Sequence, residues 1–181
     1  EAVAVERFMA RMREQGDLPL IQPASLIAAR ASAPGELAGR IAQVLPWAQK
    51  LLRVANAPHY RQLAGGRVNT VAHALQLLGA EAVGHLSAAL PSLAGAADAA
   101  QVQGLTEQYL LSRFSVTLAA RLSGLPPSQA ADAALAAGFH DYGRVLVLAY
   151  APRAAAEIRR LSALNPGNEA SAAAQVLGLP L

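Results

Sequence analysis

This chain has 181 residues, 54% of them hydrophobic and 15% charged, so it can bury the core of one domain and is not a disordered tail. It contains no cysteine, which excludes disulfides, zinc–thiolate sites and thiol nucleophiles and agrees with a reducing, cytoplasmic compartment. Fifteen basic and twelve acidic residues give a net charge of only +3, and the arginines are dispersed, which disfavours nucleic acid as a partner.

The first third of the chain has the apolar period of α-helices. An opening helix ends at Gly16, and its apolar positions are Val5, Phe8, Met9 and Met12. Residues 17–20 should be extended, because a residue before proline avoids the helical region. A second helix is predicted over 23–31. A third begins at Pro34, with the apolar stripe Leu37, Ile41, Val44 and Leu45, and a fourth runs from Pro46 until Pro58 stops it.

Glycine and small polar residues divide the middle of the chain. Residues 61–67 contain Gly65-Gly66 and are predicted to form a loop. Asn69 or Thr70 then caps a helix that Gly79 closes. Another helix follows, with Val83, Leu86 and Leu90 on one face, and residues 92–103 form the predicted connection between two halves.

The last third is also helical. A long helix is predicted over 106–123, with its buried stripe formed by Leu110, Phe114, Leu118 and Leu122. The next runs from Pro126 to about Phe139, and further helices lie near 144–150, 153–163 and 169–177, the last stopped by Gly178. No alternating strand pattern of useful length occurs, so the fold class is predicted to be all-α.

One pair of residues could carry chemistry. His140 precedes Asp141, and an imidazole with a carboxylate suits a divalent transition metal. Two ligands do not make a catalytic site, which needs at least a third protein ligand and room for water. The alternatives are a structural role, in which Asp141 orients His140 or the pair caps a helix end, and a role in proton transfer.

Four segments carry a resemblance to a known family. Residues 51–60 read LLRVANAPHY, and residues 68–79 read VNTVAHALQLLG. Residues 130–143 end in GFHDYG, and a further similar segment covers 172–180. In order and spacing these segments resemble the HDOD family (HD-related output domain), with its "LLR-x-AN-S", "A-I-x-x-LG", "LLHDIG" and "WGLP" motifs.

The resemblance implies a fold and a role. It implies one HDOD-like domain over 1–181, a multi-helix HD-domain-like bundle with an N-terminal helical lobe (1–91) and a degenerate HD-like lobe (104–181). The second lobe ends near where the family supplies further helices. The implied role is regulatory output in bacterial signal transduction.

The chain departs from the metal-binding pattern of true HD phosphohydrolases. No histidine stands near Arg113, where the upstream ligand would fall, and no aspartate follows Asp141. The incomplete ligand set favours a non-enzymatic module without a cofactor. The alternative is a metal-dependent phosphohydrolase that acts on a nucleotide or cyclic dinucleotide through His140 and Asp141.

The expected partner is another protein or another domain of a longer parent chain, since Glu1 is not a start methionine. The candidate interaction groove contains Asn56, His59, Tyr60 and His73. The longest charge-free window, 82–97, is too short and interrupted to span a bilayer. Mean hydropathy is positive, which leaves room for an apolar interface patch and a homo-oligomer.

Overall fold

α-Helices dominate the computed structural model, which describes residues 2–21, 34–93, 98–164 and 168–178. Ten helices lie in these ranges: α1 (Ala2–Gln15), α2 (Pro34–Ala42), α3 (Leu45–Ala55), α4 (Pro58–Leu63), α5 (Val71–Ala88), α6 (Ala99–Leu122), α7 (Pro127–Gly138), α8 (Tyr142–Tyr150), α9 (Pro152–Leu164) and α10 (Glu169–Leu177). Extended pairing in the same ranges is limited to one parallel bridge between Leu20 and Ser92. The all-α prediction is confirmed, and the helix predicted over 23–31 lies outside the described residues. Every helix within those ranges is too short or too polar to cross a bilayer.

Prolines open helices, because a fixed φ suits the first turn and the missing N–H costs nothing there. Pro34 begins α2, as predicted, and Pro46 stands in the first turn of α3. The stripe predicted for the Pro34 helix is divided between two helices: Val44 is the N-cap of α3 and Leu45 its first residue.

The predicted helix stop at Pro58 is only half correct. The preceding helix does end, with Asn56 as its C-cap, but Pro58 also begins the short helix α4. The predicted loop over 61–67 is therefore wrong for its first residues, which continue α4 to Leu63. Gly65 has a φ of +68° and keeps its predicted place in the turn that follows.

The cap and the break predicted for the central helix are both present. The Thr70 hydroxyl accepts a hydrogen bond from the His73 N–H at 3.0 Å, so Thr70 rather than Asn69 is the N-cap of α5. Gly79 has φ 79° and ψ 161°, far from helical values, and it divides α5 into two helical segments. Because glycine adopts positive φ at little cost, the chain bends there and continues as a helix.

Helix α6 differs from its prediction in two ways. It begins at Ala99 rather than 106, so the predicted connection over 92–103 is shorter. Its predicted buried stripe is exposed, and the buried residues of the helix are instead Gly104, Leu105, Tyr109 and Val116. The helix carries apolar residues on two faces, and periodicity alone does not tell which face meets the core.

The chain divides into two compact units, each assembled from several segments. Unit 1 contains residues 1–16, 98–108 and 141–181, and unit 2 contains 17–97 and 109–140. The core of unit 2 is built around Trp47, and it includes Leu20, Ile41, Ala48, Leu51, Ala55, Val68, Val71, Ala74, Leu78, Val83 and Leu135. In unit 1, α9 packs on α8 and α10, and α1 packs on α8. The lobe limits at 91 and 104 stay predictions.

Candidate functional site

Asn56, the first residue of the predicted groove, is engaged by the backbone around it. Its Nδ2 group donates to the carbonyl oxygens of Leu52 at 2.8 Å and Val68 at 2.7 Å. Its Oδ1 accepts from the Val68 N–H at 3.0 Å. Both amide protons are used, so the side chain joins the end of α3 to the segment that enters α5. Asn56 therefore holds the backbone beneath the predicted groove rather than offering a free donor to a ligand.

The other groove residues lie on two helices. His59 is exposed on α4, and Tyr60 beside it is half-buried against the core of unit 2. Their rings meet edge to face, with centroids 5.3 Å apart. His73 is exposed in the first turn of α5. The structure thus pairs His59 with Tyr60, and the role of these residues in binding stays a prediction.

The carboxylate of Asp141 belongs to an ion-pair network. Asp141 is the N-cap residue of α8, but its side chain makes no capping hydrogen bond. Instead its Oδ1 accepts from Arg144 Nη1 at 2.9 Å. Arg144 also forms a bidentate pair with Glu169, through Nε–Oε1 at 2.9 Å and Nη2–Oε2 at 2.6 Å. The network joins the start of α8 to the start of α10 within unit 1.

A divalent metal does not fit this arrangement. The hydrogen bond to Glu169 raises the pKa of Arg144; partial burial opposes this rise, and the charges of Glu169 and Asp141 reinforce it. A permanent cation thus stands at hydrogen-bond distance from Asp141, where it repels a second cation. Within the described ranges no three histidine or acidic side chains are grouped to hold a metal.

An exposed apolar face is the most distinctive surface of unit 2. Leu110, Leu111, Phe114, Leu118 and Leu122, all on α6, form what we call the α6 stripe. Their exposed fractions are 56%, 53%, 63%, 42% and 73% in that order. Large apolar side chains exposed singly are ordinary, whereas a contiguous row of them marks an interaction site.

Four of these five residues were predicted from the sequence as a buried stripe, whereas the structure exposes them. The spacing of Leu110, Phe114, Leu118 and Leu122 correctly places them on one helix face. The competing face was the signal that could have corrected the prediction, because Leu105, Tyr109 and Val116 also repeat at helical spacing. Of the two apolar faces of α6, one is therefore buried in the protein and the other is exposed.

Unit 1 also contains a cavity of about 350 Å³ with an apolar floor. Its rim includes Arg144, Arg159 and Glu169. Glu107 also lines the cavity. Arg144 and Glu169 neutralise each other by pairing, so two of these four charged side chains already have an ionic partner within unit 1.

Comparison with known proteins agrees with the helical architecture and the motif order. The profile of the HDOD domain matches residues 23–180, which is most of the chain. The chain therefore belongs to the HDOD family of HD-related domains. Searches among curated proteins and among solved structures gave no match.

Proposed function

We propose that this domain is a non-enzymatic signal-transduction module of a bacterial cytoplasmic protein, which acts by contact with another protein or another domain. The observation that carries the proposal is the α6 stripe. Five large apolar side chains stay in water on a helix whose opposite face already contributes to the protein interior. Exposed apolar area costs free energy that a protein contact recovers, so the stripe supports an interaction role.

The ion-pair network at Asp141 supports the non-enzymatic part of the proposal. A hydrolytic metal needs carboxylate oxygens that are free to coordinate it. Asp141 instead forms an ion pair with Arg144, which also pairs with Glu169. This ion pair stabilises the start of α8 and competes with coordination of a metal by Asp141.

We further propose that His59, Tyr60 and His73 form a second contact surface on unit 2. Two imidazoles exposed at the starts of neighbouring helices in the sequence offer donors and acceptors to a partner. Asn56 supports this surface indirectly, since its three hydrogen bonds fix the backbone between α3 and α5.

The proposal is tested by metal analysis and hydrolysis assays on protein purified without chelator. We expect substoichiometric iron, manganese and zinc, and no cleavage of nucleotides or cyclic dinucleotides. His140→Ala is the test variant, and His85→Ala is the matched control, since both imidazoles are exposed. Stoichiometric metal that His140→Ala loses and His85→Ala retains would overturn the proposal in favour of a metal-dependent phosphohydrolase.

A further inference from the structure

The cavity described above lies entirely within unit 1, and one face of α9 provides much of its lining. Ala155, Ile158, Arg159 and Ser162 stand at the spacing of residues that share a helix face, and all four line the cavity. Sites for small molecules enclose about 300–1,000 Å³. At about 350 Å³, this cavity therefore has the size of a site for a small ligand.

The floor of the cavity is apolar and closely packed. Val147 and Leu148 of α8 are buried, as are Ala155 and Ile158 of α9. A Cβ atom at Gly104 would lie only 3.0 Å from Cδ2 of Leu148, so α6 approaches α8 with no side chain between them. Such a floor accommodates a small apolar group and no charge.

Two hydrogen-bond donors stand beside this floor on α9. The Oγ atom of Ser162 is buried and has no hydrogen-bond partner among the described residues. Arg159, three residues earlier, makes no ion pair in the same part of the chain. Its Nη2 atom lies 3.6 Å from the position of a Cβ atom at Gly104, which places the guanidinium against α6. A hydroxyl and a guanidinium on one helix face can both donate to a carboxylate.

Glu107 gives the cavity an opposite charge. Its carboxylate accepts a hydrogen bond from Gln103 Nε2 at 2.8 Å, and no described cation forms an ion pair with it. Arg144 and Glu169 also line the cavity, but they pair with each other. A ligand with only a negative group would satisfy Arg159 and leave Glu107 without a cation. A ligand that carries both charges satisfies both residues.

We propose that the cavity of unit 1 binds a free amino acid with an apolar side chain. The carboxylate of the ligand accepts hydrogen bonds from Arg159 and Ser162, and its ammonium group donates to Glu107. The apolar side chain packs on Val147 and Ile158. The buried hydroxyl, the two unpaired charges and the apolar floor thus each meet one part of the same small molecule. The inference goes beyond the proposed contact role, because it assigns the domain a small-molecule ligand within unit 1, whereas the α6 stripe belongs to unit 2.

A first experiment titrates the whole 181-residue chain with L-leucine in a calorimeter. We expect saturable binding of one leucine per chain. Isocaproate lacks the ammonium group and isoamylamine lacks the carboxylate, so each should bind about tenfold or more weakly, because each loses a charge-assisted hydrogen bond. No saturable binding of leucine, or equal affinity for either analogue, would overturn the inference.

A second experiment repeats the titration with variants whose folding is verified by circular dichroism. Arg159→Gln and Glu107→Gln should each weaken leucine binding about tenfold or more, and Ser162→Ala should weaken it less, since it removes a neutral donor. Arg153→Gln is the matched control, because Arg153 is exposed on the same helix and does not line the cavity.

Glu107→Gln also gives a readout that a general loss of structure would not produce. Without the carboxylate, the preference for leucine over isocaproate should disappear, since only the ammonium group of leucine distinguishes the two ligands at Glu107. Leucine affinity that is unchanged in Arg159→Gln, or a preference that persists in Glu107→Gln, would contradict the assignment. Metal content and hydrolysis test the proposed function separately.

Discussion

At the scale of single residues, the amide side chain of Asn56 links two segments of backbone. Asn56 ends α3, where helix carbonyls would be left without partners, and it donates to one of them through Nδ2. The same amide group bonds both backbone polar groups of Val68, twelve residues later. The residue type is specific, because neither aspartate nor leucine supplies two donors and an acceptor.

We expect Asn56→Ala to lower the free energy of unfolding by about 2–3 kcal/mol, since it leaves partly buried backbone groups of Val68 unpaired. Asn56→Asp should also destabilise, because a carboxylate cannot donate to the two carbonyl oxygens. Urea unfolding measures both changes. Asn69→Ala is the control, since Asn69 is exposed and should change stability little. Equal stability of the Asn56 and Asn69 variants would contradict the proposed supporting role.

At the scale of helices, close packing between α6 and α7 depends on a residue without a side chain. A Cβ atom at Gly138 would lie 2.6 Å from Cγ2 of Val116 and 3.4 Å from Oγ of Ser112. Ser112 also donates a hydrogen bond to the Gly138 carbonyl at 2.8 Å. The end of α7 thus lies against the face of α6 that carries Ser112 and Val116, opposite the α6 stripe.

Gly138→Ala should therefore destabilise the protein by about 1–3 kcal/mol through overpacking. If the clash with Val116 is the cause, adding Val116→Ala should restore part of that loss, although Val116→Ala alone also destabilises. A double-mutant cycle followed by thermal unfolding gives the coupling energy. Additive effects of the two substitutions would show that the two side-chain positions do not clash.

The helices could be predicted where a single residue determines local geometry. Pro34, Pro46, Gly16, Gly79 and Gly178 mark starts and ends that the structure confirms, because proline and glycine restrict or free the backbone locally. The sequence shows that α6 has two apolar faces, but periodicity does not tell which of them faces outward, since that choice depends on which neighbour packs against the helix. The Arg144–Glu169 pair could not be predicted either, because its partners lie 25 residues apart.

At the scale of the molecule, unit 1 brings together segments that are far apart in the sequence. Tyr150 of α8 donates its hydroxyl to the Gly16 carbonyl at 2.8 Å, just after α1. The ring of Phe8 meets the ring of Tyr150 edge to face, with centroids 6.4 Å apart. Because the two residues are far apart in sequence, closing this contact is entropically costly, and the packing must offset that cost.

Tyr150→Phe keeps the aromatic packing and removes one hydrogen bond, so we expect a loss of about 1 kcal/mol in the attachment of α1. Hydrogen–deuterium exchange measures the effect directly, because α1 amides should exchange faster while those of α9 remain protected. Tyr60→Phe is the control, since Tyr60 packs in unit 2 and should leave exchange in α1 unchanged. If α1 exchanges at the same rate in Tyr150→Phe as in the wild type, ring packing rather than the hydroxyl holds the N-terminal helix, and Phe8→Ala should then release it.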